Sequence, residues 1–352
     1  MGKRVTVEDI ARELGISSMT VSRALNNRPH VNDVTREKVL NAAKRLGYVQ
    51  NHIAKSLVLR KTNVIGIVIP KISHFFFSEV IRGIESVTFQ HGYQLLLTHS
   101  AESTDRESQA IRTLESQRVD GILISTAQNV ADYDVYRQAL ARSTPLVFFD
   151  RCVFDLGASC VHIDDRESAR LLAAHFVQHG YQRIAHLAGP HLVSIGKERL
   201  EGYRMALEAH GIPYDESLVV TSGFNERGGY EAMAPLLDRP DGARPDAVVA
   251  VNDPAAFGAM KAIKDRGLRI PQDIAVGGFT DDPRAEMVEP GLTTIRQPAY
   301  EIGVRAAEQL INHINTGQAD AEDIIISSQL VIRRSCGCGA ENSPPASPDR
   351  AE

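Results

Sequence analysis

The chain has 352 residues, 43% of them apolar and 24% charged. That is an ordinary globular composition with room for two or three domains. No apolar run approaches the roughly 18 residues that span a bilayer and no signal-peptide core opens the chain, so neither a membrane partner nor export is expected. The formal net charge of −5 is unevenly spread: residues 1–61 hold twelve Lys and Arg against five Asp and Glu, a net of +7, which leaves −12 (−5 minus 7) for residues 62–352. A basic head on an acidic body assigns any polyanion to the head.

The opening "MGKRVT" fits the short myristoylation pattern through Gly2 and Thr6, but Thr6 has a second use as a helix cap. It precedes the acidic turn Glu8–Asp9, and Val7, Ile10, Ala11 and Leu14 then share one face up to Gly15. Ile16 is expected inward, Ser17 caps a second helix, and Val21, Ala24 and Leu25 form its apolar stripe. A third helix starts at Asn32 or Asp33, turns Val34, Val39, Ala42, Ala43 and Leu46 inward, and stops at Gly47. Two short helices about a glycine turn, followed by a third, predict a helix-turn-helix whose second helix enters the major groove. Ser18, Met19 and Arg23 then face base edges, and Arg pairs bidentately with guanine. Thr6, Thr20, Ser22 and Asn26 suit phosphate oxygens, and Ser17, His30 and Tyr48 complete the expected DNA-facing set. The competing reading is a small helical bundle with a solvated basic face.

"TVEDIARELGISSMTVSRALN" closely resembles the DNA-binding head of LacI/GalR-type transcriptional repressors, and the likeness runs on to about residue 338. The resemblance implies a hinge over 50–62 that becomes helical on operator DNA and enters the minor groove. Leu57 matches the family's wedging leucine, Ala54 permits close backbone approach, and Asn51 touches phosphate; apolar wedges of this kind unstack a base step. Lys55 stands where many relatives have Arg, and Val58 replaces a polar or basic residue. Ile53 and Leu57 also fit the apolar face of an ordinary connecting helix.

From residue 63 apolar runs alternate with helical stretches such as 77–91, 105–117 and 131–142. "VIGIVI", "YQLLLT", "VDGILIS" and "PLVFFD" make one series; "SCVHI", "RIAHLAG", "DAVVAVN" and "IAVGGF" make a second. The fold class expected is α/β: two similar doubly wound parallel-sheet subdomains, of the periplasmic-binding-protein type, behind a small all-α head. The expected boundaries are a head over 1–49, a hinge over 50–62, and a body over 63–338. Within the body the N-subdomain takes 63–161 and 293–320, and the C-subdomain takes 162–292 and 321–338. Residues 339–352 form a proline-rich tail without a heptad, so a homodimer is expected.

Ligands of open α/β sheets bind beyond the carboxyl ends of the strands. At the ends of the apolar runs stand His74 with Phe75, Phe76 and Phe77, then Asp150-Arg151, Asn252-Asp253, Thr280-Asp281-Asp282 and Gln297. Aromatic faces beside amides, carboxylates and guanidinium groups suit a polyhydroxylated ring, with Phe76 and Phe77 as its platform and Phe75 packed on the subdomain. A buried cap on the next helix is the plainer reading of the phenylalanines. The resemblance implies that Asp150 and Arg151 bind sugar hydroxyls, Arg199 enters the pocket, Phe224 forms an aromatic wall, and Asn252 and Gln297 are polar ligands. Thr280 occupies the family's usual aspartate position, with Asp281 as the possible substitute. "HLVSI" lacks the polar and basic residues that purine-binding relatives place upstream of Arg199, which favours a sugar or sugar acid over a purine or nucleoside.

Enzyme signatures are missing: "GPHLVSIGKE" has the wrong spacing for a phosphate loop, and no GxGxxG, GxSxG or HExxH occurs. His162 and His186 lie in apolar strands as core histidines. Cys152, Cys160, Cys336 and Cys338 form no CxxC pair. Cys336-Gly-Cys338 could bind metal, but a thiolate site normally needs four convergent ligands and no Cys/His pair elsewhere has ligand spacing, so reduced thiols without metal are expected. The expected protein is therefore a cytoplasmic bacterial repressor of carbohydrate use, without cofactor or catalysis, whose partners are double-stranded operator DNA, a small effector and a second copy of itself. A two-domain sugar-metabolising enzyme is the alternative from another class.

Overall fold

The computed structural model describes residues 5–48, 61–130, 132–240, 242–318 and 320–338. Two compact units divide the chain, Met1–Thr62 and Asn63–Glu352. The expected minor-groove residues Asn51, Ala54, Lys55 and Leu57 lie outside the described residues.

In the first unit, α1 (Val7–Leu14), α2 (Ser18–Leu25) and α3 (Asp33–Leu46) begin and end where local chemistry dictates. Asp9 N donates to Thr6 Oγ1 at 3.3 Å and Thr6 N donates back to Asp9 Oδ2 at 3.0 Å, a reciprocal cap. Ser17 Oγ accepts from Thr20 N at 3.1 Å, and Asn32 Oδ1 from Thr35 N at 2.7 Å, which makes Asn32 the cap and Asp33 the first helical residue. Gly15 and Gly47 end α1 and α3 at φ 64° and 67°, a left-handed turn that glycine adopts without strain. Ile10, Ala11, Val21, Ala24, Val39, Ala42 and Ala43 meet in the core, with Ile16 and Leu46 packed against it. Val34 departs from expectation, for it is 65% exposed. It lies five residues before Val39, which rotates it off the stripe that Val39, Ala42, Ala43 and Leu46 form.

The second unit contains two six-stranded sheets. The first runs β11-β5-β4-β3-β1-β2, all parallel, from β1 (Val64–Ile69), β2 (Gln94–His99), β3 (Gly121–Ile124), β4 (Leu146–Phe149), β5 (Ser159–Ile163) and β11 (Asp323–Ile326). The second runs β12-β10-β9-β8-β6-β7, from β6 (Ile184–Ala188), β7 (Val219–Thr221), β8 (Ala247–Ala250), β9 (Ala275–Thr280), β10 (Thr293–Arg296) and the antiparallel β12 (Gln329–Val331). The central strands of both are buried throughout, because helices cover both faces.

Strand pairing corrects the expected subdomain boundaries. Ile163 still pairs in the first sheet, so the crossing follows 163 rather than 161. Thr293–Arg296, expected with the N-subdomain, pairs β9 in the second sheet. Asp323–Ile326, expected with the C-subdomain, pairs β5 in the first. Three short segments therefore join the sheets, after Ile163, after Arg296 and after Ile326. None of these joints carries a compositional signal, which is why the sequence located them only roughly.

Two helices of the first subdomain cross at van der Waals contact through glycine. A Cβ on Gly83 would lie 2.1 Å from Tyr300 O, and one on Gly303 would lie 2.1 Å from Val80 O, so backbone meets backbone between Phe75–Gln90 and Ala299–Thr316. Gly303→Val should therefore destabilise the body by at least about 1–3 kcal/mol through overpacking, read as a lower urea midpoint at unchanged slope.

Candidate functional site

On α2, burial of Val21 and Ala24 turns Ser18, Met19, Ser22 and Arg23 to solvent, and Met19 is 64% exposed. Arg23 makes no ion pair among the described residues, whereas Arg12 pairs with Asp9 and Arg45 with Glu13. Thr6, Ser17, Thr20 and Asn26 spend polar groups on the helices themselves. Thr6 Oγ1 donates to Asp9 Oδ2 at 2.9 Å, Ser17 Oγ and Thr20 Oγ1 share a bond at 2.9 Å, and Asn26 Nδ2 donates to Ser22 O at 2.8 Å. His30 is exposed at φ 70°, and Tyr48 packs partly against the head's core.

The body gathers its polar residues where the parallel strands end. Arg151, 2% exposed, follows β4; its Nη1 and Nη2 donate to Glu102 Oε1 at 3.1 Å each, and Nη1 also donates to Thr126 O at 3.2 Å. Its guanidinium lies 4.3 Å above the Phe224 ring, so the expected aromatic wall already has one face covered by a cation. Asp150 Oδ1 accepts from Gln297 Nε2 at 3.5 Å, and Gln297 Oε1 accepts from Thr280 Oγ1 at 3.2 Å. Burial pushes the Asp150 carboxyl up to about 6, while Arg151 and Arg199 oppose the rise. Arg199 donates through Nε to Asp165 Oδ1 at 2.7 Å and through Nη1 to Val251 O at 2.6 Å, with its plane 3.7 Å from the Phe279 ring. Beside Asp150 a cavity of about 320 Å³ is lined by Asp164, Asp165, Ser194 and Glu198, and Ser194 Oγ accepts from Cys152 N at 3.2 Å.

Several expected ligands turn out to be placed otherwise. Phe76 and Phe77 are 6% and 2% exposed, edge-to-face at 5.2 Å, with Phe77 against Phe149; they are core, and the plainer reading holds. Phe75, expected to pack inward, is the exposed one at 38%. The reason is helical geometry, since Phe76, Phe77, Val80 and Ile84 share the face that covers the sheet. His74 caps that helix by position; burial, then Lys71 and Arg151, lower it to about 4, so it is neutral at physiological pH. Asn252 is chiefly a helix cap: its Oδ1 accepts from Ala255 N at 2.9 Å and its Nδ2 donates to Phe224 O at 3.1 Å. Asp281 is drawn out of the ligand-facing group. Thr280 and Asp281 have φ 136° and 61°, and this turn delivers the Asp281 carboxylate to Arg296 Nε at 2.6 Å and Arg333 Nη2 at 2.8 Å.

The residues that sequence reasoning passed over are buried and polar. Ser100 and Ser125 follow β2 and β3, are 0% exposed, and their hydroxyls have no partner among the described residues, as is true of Arg151 Nε. Buried polar atoms without a protein partner at strand ends call for one that the described residues do not supply. Their signal was present, because each directly follows an apolar run. Glu102 and Asp165, which hold the two arginines, gave no such signal. His162 and His186 behave as strand residues: His162 Nε2 lies 2.6 Å from Asp323 Oδ1, and buried His186 bonds Val249 O at 3.0 Å through Nδ1.

A basic helix-turn-helix unit and a body of two parallel sheets define a class, the DNA-binding regulator gated by a small ligand. The comparisons with known proteins carry the assignment further. A model described as "Periplasmic binding proteins and sugar binding domain of LacI family" matches residues 62–334, and one described as "Bacterial regulatory proteins, lacI family" matches residues 6–51. The ribose operon repressor of Escherichia coli (strain K12) is 33% identical over 332 residues, which cover 94% of this chain and 99% of that protein. A Lac repressor dimer bound to operator and an anti-inducer superposes with TM-score 0.83 at 29% identity, covering 95% of this chain and 99% of that one. A cellobiose complex of the transcriptional regulator CelR gives TM-score 0.72 at 31% identity, with 94% and 100% covered. The chain belongs to the LacI family, and it is a DNA-binding transcriptional regulator rather than an enzyme.

The loop that presents Thr126 to Arg151 rests on Glu107, which is 1% exposed, accepts from Ala127 N at 2.6 Å and from the Tyr136 hydroxyl. Burial pushes Glu107 from 4.5 up to about 7, against those two bonds. The folded carboxyl thus holds its proton more tightly than the unfolded one, and the stability this gives is full below about 4.5 and lost as pH rises through 7. Relative to the native chain, Glu107→Gln should gain on the order of 2–3 kcal/mol between pH 5 and pH 8, measured by urea unfolding at both.

Proposed function

We propose that this regulator represses carbohydrate-utilisation genes by binding a roughly palindromic operator as a homodimer, and that a small neutral sugar in the cleft controls its grip. The outward set Ser18, Met19, Ser22 and Arg23 on α2 carries the DNA half of this reading. Support for the dimer comes from the edge strand β2 and the helix before it, where Leu96, Leu97 and Phe89 are 37%, 39% and 72% exposed. Apolar side chains grouped on a sheet edge invite a partner. A two-fold dimer in turn matches a two-fold operator, read in the bacterial cytoplasm.

The neutral character of the effector follows from charge matching. Arg151 is neutralised by Glu102 and Arg199 by Asp165, so neither has unpaired charge for a ligand carboxylate, although Arg151 Nε keeps a hydrogen to donate. What remains open is a set of hydroxyls, an amide and the Asp150 carboxyl, which suit ligand hydroxyls. The ribose operon repressor and the cellobiose-bound regulator are consistent with this class. Ligand engaging both subdomains would shift their relation, and it can do so only by its different affinity for the two arrangements.

Operator selection from random duplex should recover a palindrome, and Arg23→Ala should weaken binding to it roughly 10- to 100-fold, the loss of one bidentate base contact. Unchanged affinity would remove Arg23 from the interface. In a thermal-shift screen a neutral sugar should stabilise the native chain, and Arg151→Ala should abolish that shift while operator affinity without ligand is kept. Stabilisation by a purine or a uronate alone would overturn the effector assignment.

A further inference from the structure

In the sequence Cys336-Gly-Cys338 is a possible metal pair set aside because a thiolate site normally needs four convergent ligands. The fold supplies a histidine from 161 residues earlier (336 minus 175). His175, near the end of the helix Asp165–Gln178, points its Nε2 at Cys338 Sγ, 3.3 Å away, and the ligand atoms of His175, Cys336 and Cys338 all lie within 4.8 Å of one another.

The surroundings are built rather than incidental. Gly337 has φ 77°, and a Cβ there would meet Tyr181 Oη at 2.8 Å, so glycine is required between the cysteines. Tyr181 Oη donates to Cys336 O at 2.9 Å, and Ser335 Oγ donates to Val276 O at 2.6 Å, which fixes the turn on the second sheet. His175 is 6% exposed and Cys336 0%. A buried imidazole nitrogen whose described partner is a thiol, a weak hydrogen-bonding group, is poorly satisfied by protein alone. Cys338 also lines a surface cleft of about 610 Å³ with Pro271, Glu289 and Arg334, which gives an ion a route in.

We propose that His175, Cys336 and Cys338 bind a soft divalent cation of the zinc type, with water from the cleft as fourth ligand. One imidazole and two sulfurs form a borderline-soft set that selects zinc over magnesium or calcium. Zinc bonds of about 2.3 Å to sulfur and 2.0–2.1 Å to nitrogen place tetrahedral ligands roughly 3.5–3.8 Å apart. The His175–Cys338 pair is already near that spacing, and Cys336 Sγ, within 4.8 Å of both, would close in and give up its bond to Arg333 O on binding. Each thiol releases its proton to solvent as the metal–sulfur bond forms, so binding weakens as pH falls. The ion would clip the end of the described chain to the helix that carries Asp165, the partner of Arg199.

The test uses the full reduced chain, stripped of metal and titrated with zinc against a chromophoric chelator, and separately with cobalt(II). One equivalent of zinc per chain, and sulfur-to-cobalt charge-transfer absorption, are expected. His175→Gln and Cys338→Ser should each lower affinity at least tenfold, while Cys152→Ser, outside the cluster, should leave it unchanged. Circular dichroism identifies any variant that fails to fold, and the other of the pair then decides. No zinc bound by the native chain, or native-like affinity in both cluster variants, would overturn the proposal.

Discussion

Two buried guanidinium groups govern the centre of the body. Arg151 and Arg199 are each 2% exposed, and a cation so placed is tolerated only when a carboxylate meets it. Glu102 meets the first and Asp165 the second. Because the arginines also bond Thr126 O and Val251 O, they tie the loops after β3 and β8 to the carboxylates opposite. The ends of four different segments are thereby fixed relative to one another, and the cleft inherits its shape from charge pairing as much as from packing.

That arrangement leaves the strand ends with little spare charge but with unmatched buried hydroxyls and a carboxyl held near 6. Such a set of groups suits the proposed neutral polyhydroxylated effector, which would be held through many moderate hydrogen bonds and selected because a wrong ligand leaves buried groups unpaired. The acidic body repels DNA on balance, so the polyanion falls to residues 1–61 with their net +7. The three joints after Ile163, Arg296 and Ile326 are the covalent routes between the sheets. A relative movement of the subdomains has to be absorbed there.

The subdomain boundaries and Val34 show how sequence patterns can mislead. Local sequence reveals that strands exist but not which sheet each joins, since Thr293–Arg296 and Asp323–Ile326 read the same whichever sheet they enter. Pairing is decided by hydrogen bonds between segments far apart in the chain. Phe76 and Phe77 make the same point at one residue's resolution, because a rotation of 100° per residue separates a cleft platform from a core and the run of three phenylalanines does not say which face is inward.

By itself the sequence determined the trihelical head, its caps at Thr6 and Ser17, the two strand-helix series and the absence of enzyme signatures. These are local properties, set by periodicity, capping and composition within a few residues. Only the tertiary structure decided that Asp281 turns away to Arg296 and Arg333, that Glu102 and Asp165 hold the arginines, and that His175 meets Cys336 and Cys338. Each of these rests on side chains brought together across tens to hundreds of residues. No local pattern encodes such a meeting, because the distance that matters is set by how the sheets and helices pack.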